Sequence, residues 1–364
     1  MTLKLVGIGG LGLMLSPSAR HLGTSGPARF LRIHDRGTSD PRREACRQAW
    51  QDHGADLVPD FESLIGQGDF DGLVICAGKN GDDLDIIQSV APLITERCPQ
   101  LPFILHLSTV STGFVQAAHS FLKSRGIRYI NTPLTGGPAG AEAGTMLILA
   151  SGDQSLYSQL EPTLETMGNP KYYGDKVTAG AEVKLIGQLM VFNGLTGICS
   201  AAALKSACFQ EPLSGQDQAG FFDFLNQGAG GTRQWDVALS KGVRDDLWDQ
   251  GFMLQHAVVD AIYAARLCLD QGLSALTVMP MVSTALSFAY LLHKHQGASL
   301  ATHAVVREMV QDNAAGIDRF IQDKMVFSDP GQSIANTVAA LPDQVRQTVM
   351  LDIDASSFEG NSKL

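Results

Sequence analysis

The sequence predicts a two-domain α/β protein: a doubly wound parallel sheet comes first, and an all-α domain built on a long helix follows it. Its 364 residues exceed what one hydrophobic core usually serves. The first half alternates short, nearly continuous apolar runs with helical stretches, which is typical of a parallel sheet covered on both faces. The second half keeps only helical periodicity, with glycines between the helices.

Five apolar runs of the first half are predicted to form the core strands of the sheet. They are Leu3–Ile8, Phe30–His34, Gly72–Cys76, Phe103–Leu107 and Ile127–Asn131. A glycine-rich turn follows the first run, and helices are predicted at Pro17–Leu22 and Arg42–His53. Ligands of such sheets bind beyond the carboxyl ends of the strands, so the residues after each run are the candidates for a site.

The character of the sequence changes near Thr178, where a long helix is predicted over Ala179–Ala207 because the segment is apolar almost all round. Further helices are predicted at Phe221–Asn226, Phe252–Gln271, Met279–Gln296 and Leu300–Gln311. We therefore divide the chain into a sheet domain over 1–177, an all-α domain over 178–312 and a C-terminal extension over 313–364.

Composition and charge argue against several kinds of partner. The net charge of -10 disfavours nucleic acid, which needs clustered Lys and Arg. The six cysteines and nine histidines form no metal-binding spacing, and scattered cysteines favour a reduced, cytoplasmic setting, so no metal is expected. We see no uninterrupted apolar run that would span a bilayer. The apolar Leu5–Leu15 resembles a short signal peptide, but its glycines favour a buried strand and turn.

The glycine-rich turn indicates a dinucleotide site, in one of two registers. Gly7, Gly9 and Gly12 satisfy G-x-G-x-x-G but would shorten the first strand to about four residues. A turn at Gly10-Leu11-Gly12 leaves the strand at full length and puts Pro17 in the first helical turn, where proline is tolerated. We prefer this second register, in which Leu15 stands where the third glycine is expected.

An acidic residue at the end of the second strand is the next requirement of a dinucleotide site, and Asp35 meets it. A carboxylate there accepts hydrogen bonds from the adenosine ribose and repels a 2′-phosphate, which favours NAD. Arg36 follows directly, and Arg42 and Arg43 lie close by, so a 2′-phosphate and therefore NADP stay open. The alternative is that Asp35-Arg36 is a solvated turn.

Hydroxyl groups and glycines at later strand ends extend the candidate site. Ser108 and Thr109 follow the strand Phe103–Leu107 and can face the nicotinamide, or cap a helix, or do both. Ala77 and Gly78 occupy the corresponding place after the third strand and join the cofactor-binding set. The segment from Asn131 to Gly140 carries three closely spaced glycines at a strand end and Gly144 follows, an arrangement that suits holding a substrate carboxylate.

Lys184 is the candidate catalytic residue. It is the only charged residue between Glu182 and Lys205, within an otherwise apolar helix. An ammonium in such surroundings invites a functional interpretation, because desolvation and a cationic nicotinamide ring would both lower its pKa. The alternative is a lysine that snorkels near the start of the helix. Gln188 lies one turn further on the same face.

These motifs resemble the β-hydroxyacid dehydrogenase family, of which 3-hydroxyisobutyrate dehydrogenase is the best-known kind. The turn Gly10-Leu11-Gly12-Leu13-Met14 resembles the family's cofactor turn, and Leu107-Ser108-Thr109 resembles its nicotinamide loop. Thr132–Asp153 is similar to the family's substrate-binding signature, with Thr135, Gly136 and Gly137 at its contact positions. Lys184 falls on the catalytic lysine, and Asp260 on the acidic half of a later Lys-Asp pair.

The resemblance implies an N-terminal Rossmann domain, an all-α domain on a long interdomain helix, and a homodimer or homotetramer. It implies NAD or NADP, no metal, and a small 3-hydroxy acid or its semialdehyde as substrate, with a lysine as general acid and base. Two rivals stay open. One is imine reduction on the same architecture, and the other is a non-catalytic interaction module; members of both kinds generally lack the lysine.

Four departures mark a divergent member of the family. Thr135 replaces a common serine, Gln188 replaces an asparagine, Val259 replaces the lysine of the Lys-Asp pair, and Leu15 replaces the third glycine. The chain also carries about 50 residues beyond the family's usual end. With one cation fewer, a larger or less anionic substrate than 3-hydroxyisobutyrate is expected.

Overall fold

A computed structural model describes residues 2–23, 25–37, 39–296 and 299–359 of the chain. The chain divides into two compact units, of which the first comprises Met1–Lys184 together with Met350–Leu364 and the second comprises Leu185–Val349. This division differs from the domains predicted from sequence in two respects, and the first is that the boundary follows Lys184 instead of residue 177. The C-terminal extension is shared: its helices belong to the helical unit, whereas its last residues return to the sheet unit.

The first unit is built on a nine-stranded sheet in the order β3-β2-β1-β4-β5-β6-β8-β7, with β9 paired to β8. The pairs among β1 to β6 are parallel, and β8 runs antiparallel to β6 and β7. The strands are β1 Leu3–Ile8, β2 Ala28–His34, β3 Asp56–Val58, β4 Gly72–Ile75, β5 Phe103–His106, β6 Tyr129–Asn131, β7 Leu134–Thr135, β8 Met146–Gly152 and β9 Gly168–Tyr172.

Within the described part of the first unit, seven α-helices surround this sheet. They are α1 Ser18–Leu22, α2 Glu44–His53, α3 Phe61–Ile65, α4 Asn80–Arg97, α5 Thr112–Lys123, α6 Gly137–Ala143 and α7 Gln154–Met167. Two apolar cores result, which is the layering expected of a doubly wound fold. One core lies under α3, α4 and α5, and the other lies under α1, α2 and α7. The predicted α/β class is therefore confirmed.

The five predicted strands are present, and each agrees with its predicted bounds within two residues. Four further strands, β3, β7, β8 and β9, were missed. Two of them have two or three residues, and β9 is the polar segment Gly168–Tyr172, so neither length nor apolar alternation marks them. The strand β8 was not predicted because its residues belong to the segment that was interpreted as a substrate motif.

The second unit is helical, as predicted. Helix α8 begins at Ala179 in the first unit and continues to Phe209. It is followed by α9 Gln216–Leu225, a π-helical turn Trp235–Leu239, α10 Ser240–Asp245, α11 Leu254–Asp270, α12 Ala275–Lys294, a 3-10 helix Thr302–Glu308, α13 Gln311–Gln322, α14 Pro330–Ala339, α15 Asp343–Val349 and, back in the first unit, the 3-10 turn Ala355–Phe358.

The α-helix predicted over Leu300–Gln311 is wrong: the segment contains the 3-10 helix, and α13 starts only at its end. Tertiary hydrogen bonds explain the difference. The amides of Ala301 and Thr302 donate to the carbonyl oxygens of Trp248 and Phe252, at 2.8 Å each, and Ala301 pairs with Met253 in a short β-bridge. Bonds to another segment thus replace those that an α-helix would make within itself.

Among the described residues, α8 and α12 are long and apolar enough to cross a membrane by length and composition alone. The expectation that no run reaches this length is therefore wrong. In α12 67% of the most apolar window is buried within the protein, and in α8 39%. The core helices of soluble proteins pass the same test, so the two helices are weak evidence for a membrane.

Candidate active site

The glycine turn after β1 begins at Gly9, because the strand continues to Ile8 and keeps Gly7 within it. Gly9 has a φ of 78°, which favours glycine, and a Cβ there would lie 2.2 Å from the carbonyl oxygen of Cys76. A Cβ at Gly10 would lie 2.3 Å from Cγ2 of Ile33. Side chains are thus excluded from both positions, and the chain turns closely against β2 and β4.

The first helix starts one residue later than predicted. Residues 11–17 form successive turns, and α1 starts at Ser18, so Pro17 immediately precedes the helix instead of lying within it. The side chain of Leu15 is fully buried in the core beneath α1, α2 and α7. Leu15 therefore contributes its side chain to the core, whereas a glycine at this position would allow the helix and the strand to pack more closely.

The carboxylate of Asp35 is held by three donors. Its Oδ2 accepts the amide of Leu11 at 3.0 Å, and its Oδ1 accepts the amide of Gly37 at 2.7 Å and Nη1 of Arg43 at 2.8 Å. Arg36, by contrast, extends into solvent with 75% of its side chain exposed and pairs with Asp82 at 3.1 Å. Asp35 thus connects the end of β2 to the glycine turn, and Arg36 lies beside it.

Trp50 contributes to the same turn and was missed by sequence reasoning. Its indole Nε1 donates to the carbonyl oxygen of Gly10 at 2.7 Å, and its side chain is fully buried against Phe30. No local signal marks this role, because Trp50 lies on α2 and reaches the turn only through the tertiary fold.

The loops after β4 and β5 meet each other, as expected for adjacent parallel strands. The amide of Ala77 donates to Oγ of Ser108 at 3.2 Å, and Thr109 next to it is partly exposed. At Gly78 a Cβ would lie 2.3 Å from Cβ of Asp82, so the loop passes closely over the start of α4. These contacts place Ala77, Gly78, Ser108 and Thr109 at one edge of the sheet.

A buried polar chain supports the second loop from below. His106, at the end of β5, lies between Oδ2 of Asp83, 2.8 Å from its Nε2, and the hydroxyl of Tyr129, 2.8 Å from its Nδ1. Burial raises the pKa of Tyr129 well above its ordinary value, so its hydroxyl keeps its proton. The His106 ring thus lies between a hydroxyl group and a carboxylate. Sequence reasoning missed all three residues.

The substrate motif begins beside this loop. The amide of Thr132 donates to the carbonyl oxygen of His106 at 2.8 Å, and Nδ2 of Asn131 donates to the same oxygen at 3.1 Å. Beyond β7, which carries Thr135, the chain turns through Gly136 and Gly137, whose φ angles are 134° and 66°. The nicotinamide-loop and substrate motifs are therefore neighbours in the fold.

Helix α1, which follows the glycine turn, contacts α6 of the substrate motif. Nε2 of His21 lies 2.9 Å from the carbonyl oxygen of Ala141, and Arg20 pairs with Glu142. A Cβ at Gly144 would lie 3.2 Å from the His21 ring. The glycine turn and the substrate motif are thereby held together within the first unit.

Lys184 lies near the start of α8, where that helix is attached to the sheet. The amide of Gly180 donates to Oγ of Ser151 at 2.8 Å, and a Cβ at Gly180 would lie 2.2 Å from the carbonyl oxygen of Leu149. Lys184 follows one helical turn later, and only 8% of its side chain is exposed. The lysine is thus buried on a helix whose start packs closely against β8.

Gln188 and Asp260 form a buried pair in the second unit. Nε2 of Gln188 donates to Oδ2 of Asp260 at 2.5 Å, and the two side chains are 3% and 2% exposed. Val259, at the position of the family's lysine, is fully buried. The structure thus joins these two predicted residues to each other, whereas Thr135 and Lys184 belong to the first unit.

The residues of the first unit fit a nicotinamide dinucleotide. Side chains are excluded at Gly9 and Gly10, and the amides of Leu13 and Met14 donate to no protein acceptor among the described residues, so they remain for a pyrophosphate. The carboxylate of Asp35 lies at the end of β2, where an adenosine ribose binds in such folds.

Across residues 2–23, 25–37, 39–296 and 299–359, no group of three or more His, Cys, Asp or Glu could hold a metal ion.

Comparison with known proteins gives matches both for the sheet unit and for most of the chain. Residues 5–180 match the family described as the NAD binding domain of 6-phosphogluconate dehydrogenase. An uncharacterized oxidoreductase of Synechocystis sp. is 26% identical over 71% of this chain and 84% of its own. The NAD-dependent L-serine dehydrogenase of Pseudomonas aeruginosa is 25% identical over 84% of this chain and 98% of its own.

Among solved structures, a 3-hydroxyisobutyrate dehydrogenase from Salmonella typhimurium superposes with a TM-score of 0.68. It is 22% identical, and the match covers 83% of this chain and 99% of that one, so the likeness is one of fold. The sequence matches add the chemistry of an NAD-dependent oxidoreductase that acts on CH–OH groups. In sequence the chain is similar to these oxidoreductases, in agreement with its resemblance to the β-hydroxyacid dehydrogenase family.

Proposed function

We propose that the chain transfers hydride between NAD(P) and a small 3-hydroxy acid or its semialdehyde, with Lys184 as general acid and base. The observation that carries this proposal is the burial of Lys184, the only charged residue of α8 between Glu182 and Lys205. Burying an ammonium is costly, so a lysine retained at such a position indicates a function.

The nicotinamide, when bound, accepts hydride from the carbon that carries the hydroxyl group, or returns it in the reverse direction. In oxidation, Nζ of neutral Lys184 takes the hydroxyl proton as the carbonyl forms, and in reduction its ammonium gives that proton back. The helix start at Gly180, fixed on Ser151, keeps the lysine from moving along the helix axis. The alternative of a lysine snorkelling to solvent is disfavoured by its 8% exposure.

For the substrate side we propose Thr135, Gly136 and Gly137, which adjoin the nicotinamide loop through Asn131 and Thr132. Gln188 and Asp260 are proposed to act on the same substrate, as the resemblance implies. Because a carboxylate only accepts hydrogen bonds, Asp260 accepts from the amide nitrogen of Gln188, which fixes the orientation of the Gln188 amide. With Val259 in place of a lysine, we propose a larger or less anionic substrate than 3-hydroxyisobutyrate.

Imine reduction remains the second candidate, and a non-catalytic module the third. The presence of Lys184 argues against both alternatives, because imine reductases and non-catalytic modules of this fold generally lack the lysine. We also keep a cytoplasmic location and a homodimer or homotetramer as proposals, the former on the scattered cysteines and the latter on the family resemblance.

The deciding experiment replaces Lys184 with alanine and measures turnover on a panel of 3-hydroxy acids and semialdehydes. General acid–base catalysis contributes typically about 10²- to 10⁴-fold, so kcat should fall by that factor while the Kd for NADH is unchanged. Lys176→Ala is the matched control, because Lys176 is 66% exposed and pairs with Glu182 at 2.6 Å. Turnover that survives in the Lys184 variant would end the proposed mechanism.

A second measurement addresses the substrate group. Thr135→Ala should raise KM more than it lowers kcat, because a hydroxyl that binds a carboxylate contributes to ground state and transition state alike. Thr135→Ser restores the hydroxyl and should restore KM. A substrate panel with best turnover on 3-hydroxyisobutyrate would contradict the proposed larger or less anionic substrate, without affecting the assignment of Lys184.

A further inference from the structure

The last described residues of the chain return to the sheet unit and pack on it. We call residues 350–358 the C-terminal strap. Ile353 and Phe358 are buried in the core beneath α4 and α5. The Phe358 ring lies 5.5 Å from that of Phe114 and stacks 5.1 Å from that of Phe121, both on α5. A 3-10 turn capped by Asp354 gives the strap a defined shape.

Two side chains of α4 hydrogen-bond to the backbone of the strap. Nδ2 of Asn80 donates to the carbonyl oxygen of Met350 at 2.8 Å, and Nε2 of Gln88 donates to that of Ser357 at 2.7 Å. Asn80 and Gln88 are eight residues apart, about two helical turns. The strap therefore follows α4 away from the helix's first residue.

Asn80 joins the strap to both loops of the cofactor site. It is the first residue of α4 and directly follows the loop with Ala77 and Gly78. Its Oδ1 accepts the amide of Ser111 at 2.9 Å, and its Nδ2 also donates to Oγ of Ser111 at 2.8 Å. Ser111 caps α5 and ends the loop that carries Ser108 and Thr109. One fully buried amide thus fixes two loops and the strap.

We propose that the C-terminal strap, through Asn80, positions the loops 77–79 and 108–111 for the nicotinamide cofactor, so that the strap controls cofactor affinity. Asn80 is a positioning residue, since it acts through the loops. Loops that are ordered before binding spare the cofactor that entropic cost. Releasing the carbonyl oxygen of Met350 removes one acceptor of the Asn80 amide, so the amide is no longer fixed at the strap and holds the two loops less firmly. The inference rests on the cofactor assignment above.

The test is a titration of full-length variants with NADH and NADPH by fluorescence, paired with thermal unfolding. Asn80→Asp keeps an acceptor for the Ser111 amide but places an oxygen against the carbonyl oxygen of Met350. We therefore expect the Kd for NADH and NADPH to rise at least tenfold. Phe358→Ala loosens the far end of the strap without touching Asn80 and should weaken the Kd at least threefold. Phe358→Leu, which keeps apolar packing, should restore it.

The control is Ile94→Val, a conservative change in the same buried core on the same helix. Its Kd should stay within twofold of the parent protein even where its unfolding temperature falls as far as that of Phe358→Ala. Equal weakening in the control, or an Asn80→Asp or Phe358→Ala Kd within twofold of the parent, would overturn the proposal. An unaltered protein that binds neither NADH nor NADPH would instead overturn the cofactor assignment itself.

Discussion

Oδ2 of Asp35 accepts the backbone amide of Leu11 at 3.0 Å, so the acidic residue at the end of β2 also fixes the glycine turn after β1. The sequence presents Asp35 only as a candidate ribose ligand. In the structure the same carboxylate is shared with Gly37 and Arg43. The side chain proposed to select the cofactor thus also fixes the shape of the turn, and this makes its substitution informative.

Asp35→Asn should move cofactor preference towards NADPH. The variant loses the negative charge that repels a 2′-phosphate and one acceptor oxygen, so the Kd for NADH should weaken by about tenfold, with a smaller change for NADPH. Fluorescence titration with both cofactors measures the ratio of the Kd for NADH to the Kd for NADPH. Asp40→Asn removes a charge near Arg43, from which Asp40 lies 3.9 Å, and serves as the control. The same ratio in both variants would contradict a specific role for Asp35.

Trp50→Phe should reduce stability and cofactor affinity together. Phenylalanine fills most of the space but has no N–H for the carbonyl oxygen of Gly10, and an unpaired buried polar group costs about 1–3 kcal/mol. Urea unfolding gives the free energy, and NADH titration gives the affinity. Trp235→Phe is matched to it, because Trp235 is buried in the helical unit and donates to Asp223 at 3.0 Å. We expect that control to lose stability without losing affinity.

Leu15→Gly should destabilise the protein although it recreates the third glycine of the cofactor turn. The side chain is fully buried, and deleting a buried leucine side chain costs about 2–5 kcal/mol even with alanine in its place. Leu13→Gly makes the same exchange in the same turn at a side chain that is 61% exposed, and should cost far less. Similar unfolding free energies for the two variants would show that Leu15 is not part of the core.

Asp153→Asn should destabilise the protein at neutral pH and lose this effect in acid. Partial burial opposes ionisation of Asp153, but hydrogen bonds from Arg128, Ser155 and the amide of Leu156 outweigh it and hold the pKa well below its ordinary value of 3.8. A lowered pKa in the folded state contributes stability above the unfolded pKa that disappears as the pH falls through the folded one.

For this variant we expect a loss of about 1 kcal/mol at pH 7, typical of a helix N-cap, that shrinks steadily below about pH 4. Unfolding by urea between pH 2 and pH 7 measures it. Asp343→Asn, at a carboxylate that is 78% exposed, is the comparison and should show little dependence on pH. A loss independent of pH would mean that packing, and not the charge, is responsible.

Local patterns account for the parts of the fold that sequence predicted well. Leu5 and Val6 of β1 and Ile104 of β5 are fully buried, and continuous apolar runs of this kind reveal buried strands directly. The long apolar segment after Thr178 likewise predicts α8. The 3-10 helix at Thr302–Glu308 was not predictable in this way, because its backbone bonds to segments about 50 residues distant in sequence.

The sequence alone determined the fold class and singled out the glycine turn and Lys184 as candidates, because each depends on residue types at short, regular spacings. Only the tertiary structure showed that Asp35 holds Leu11, that Trp50 holds Gly10 and that Asn80 joins the strap to both cofactor loops. The Asn80 bond to Met350 spans 270 positions. Hydrogen bonds of this kind form where strand ends and the returning C-terminal segment come close together in the folded protein. The periodicity of the sequence gives no information about such long-range contacts.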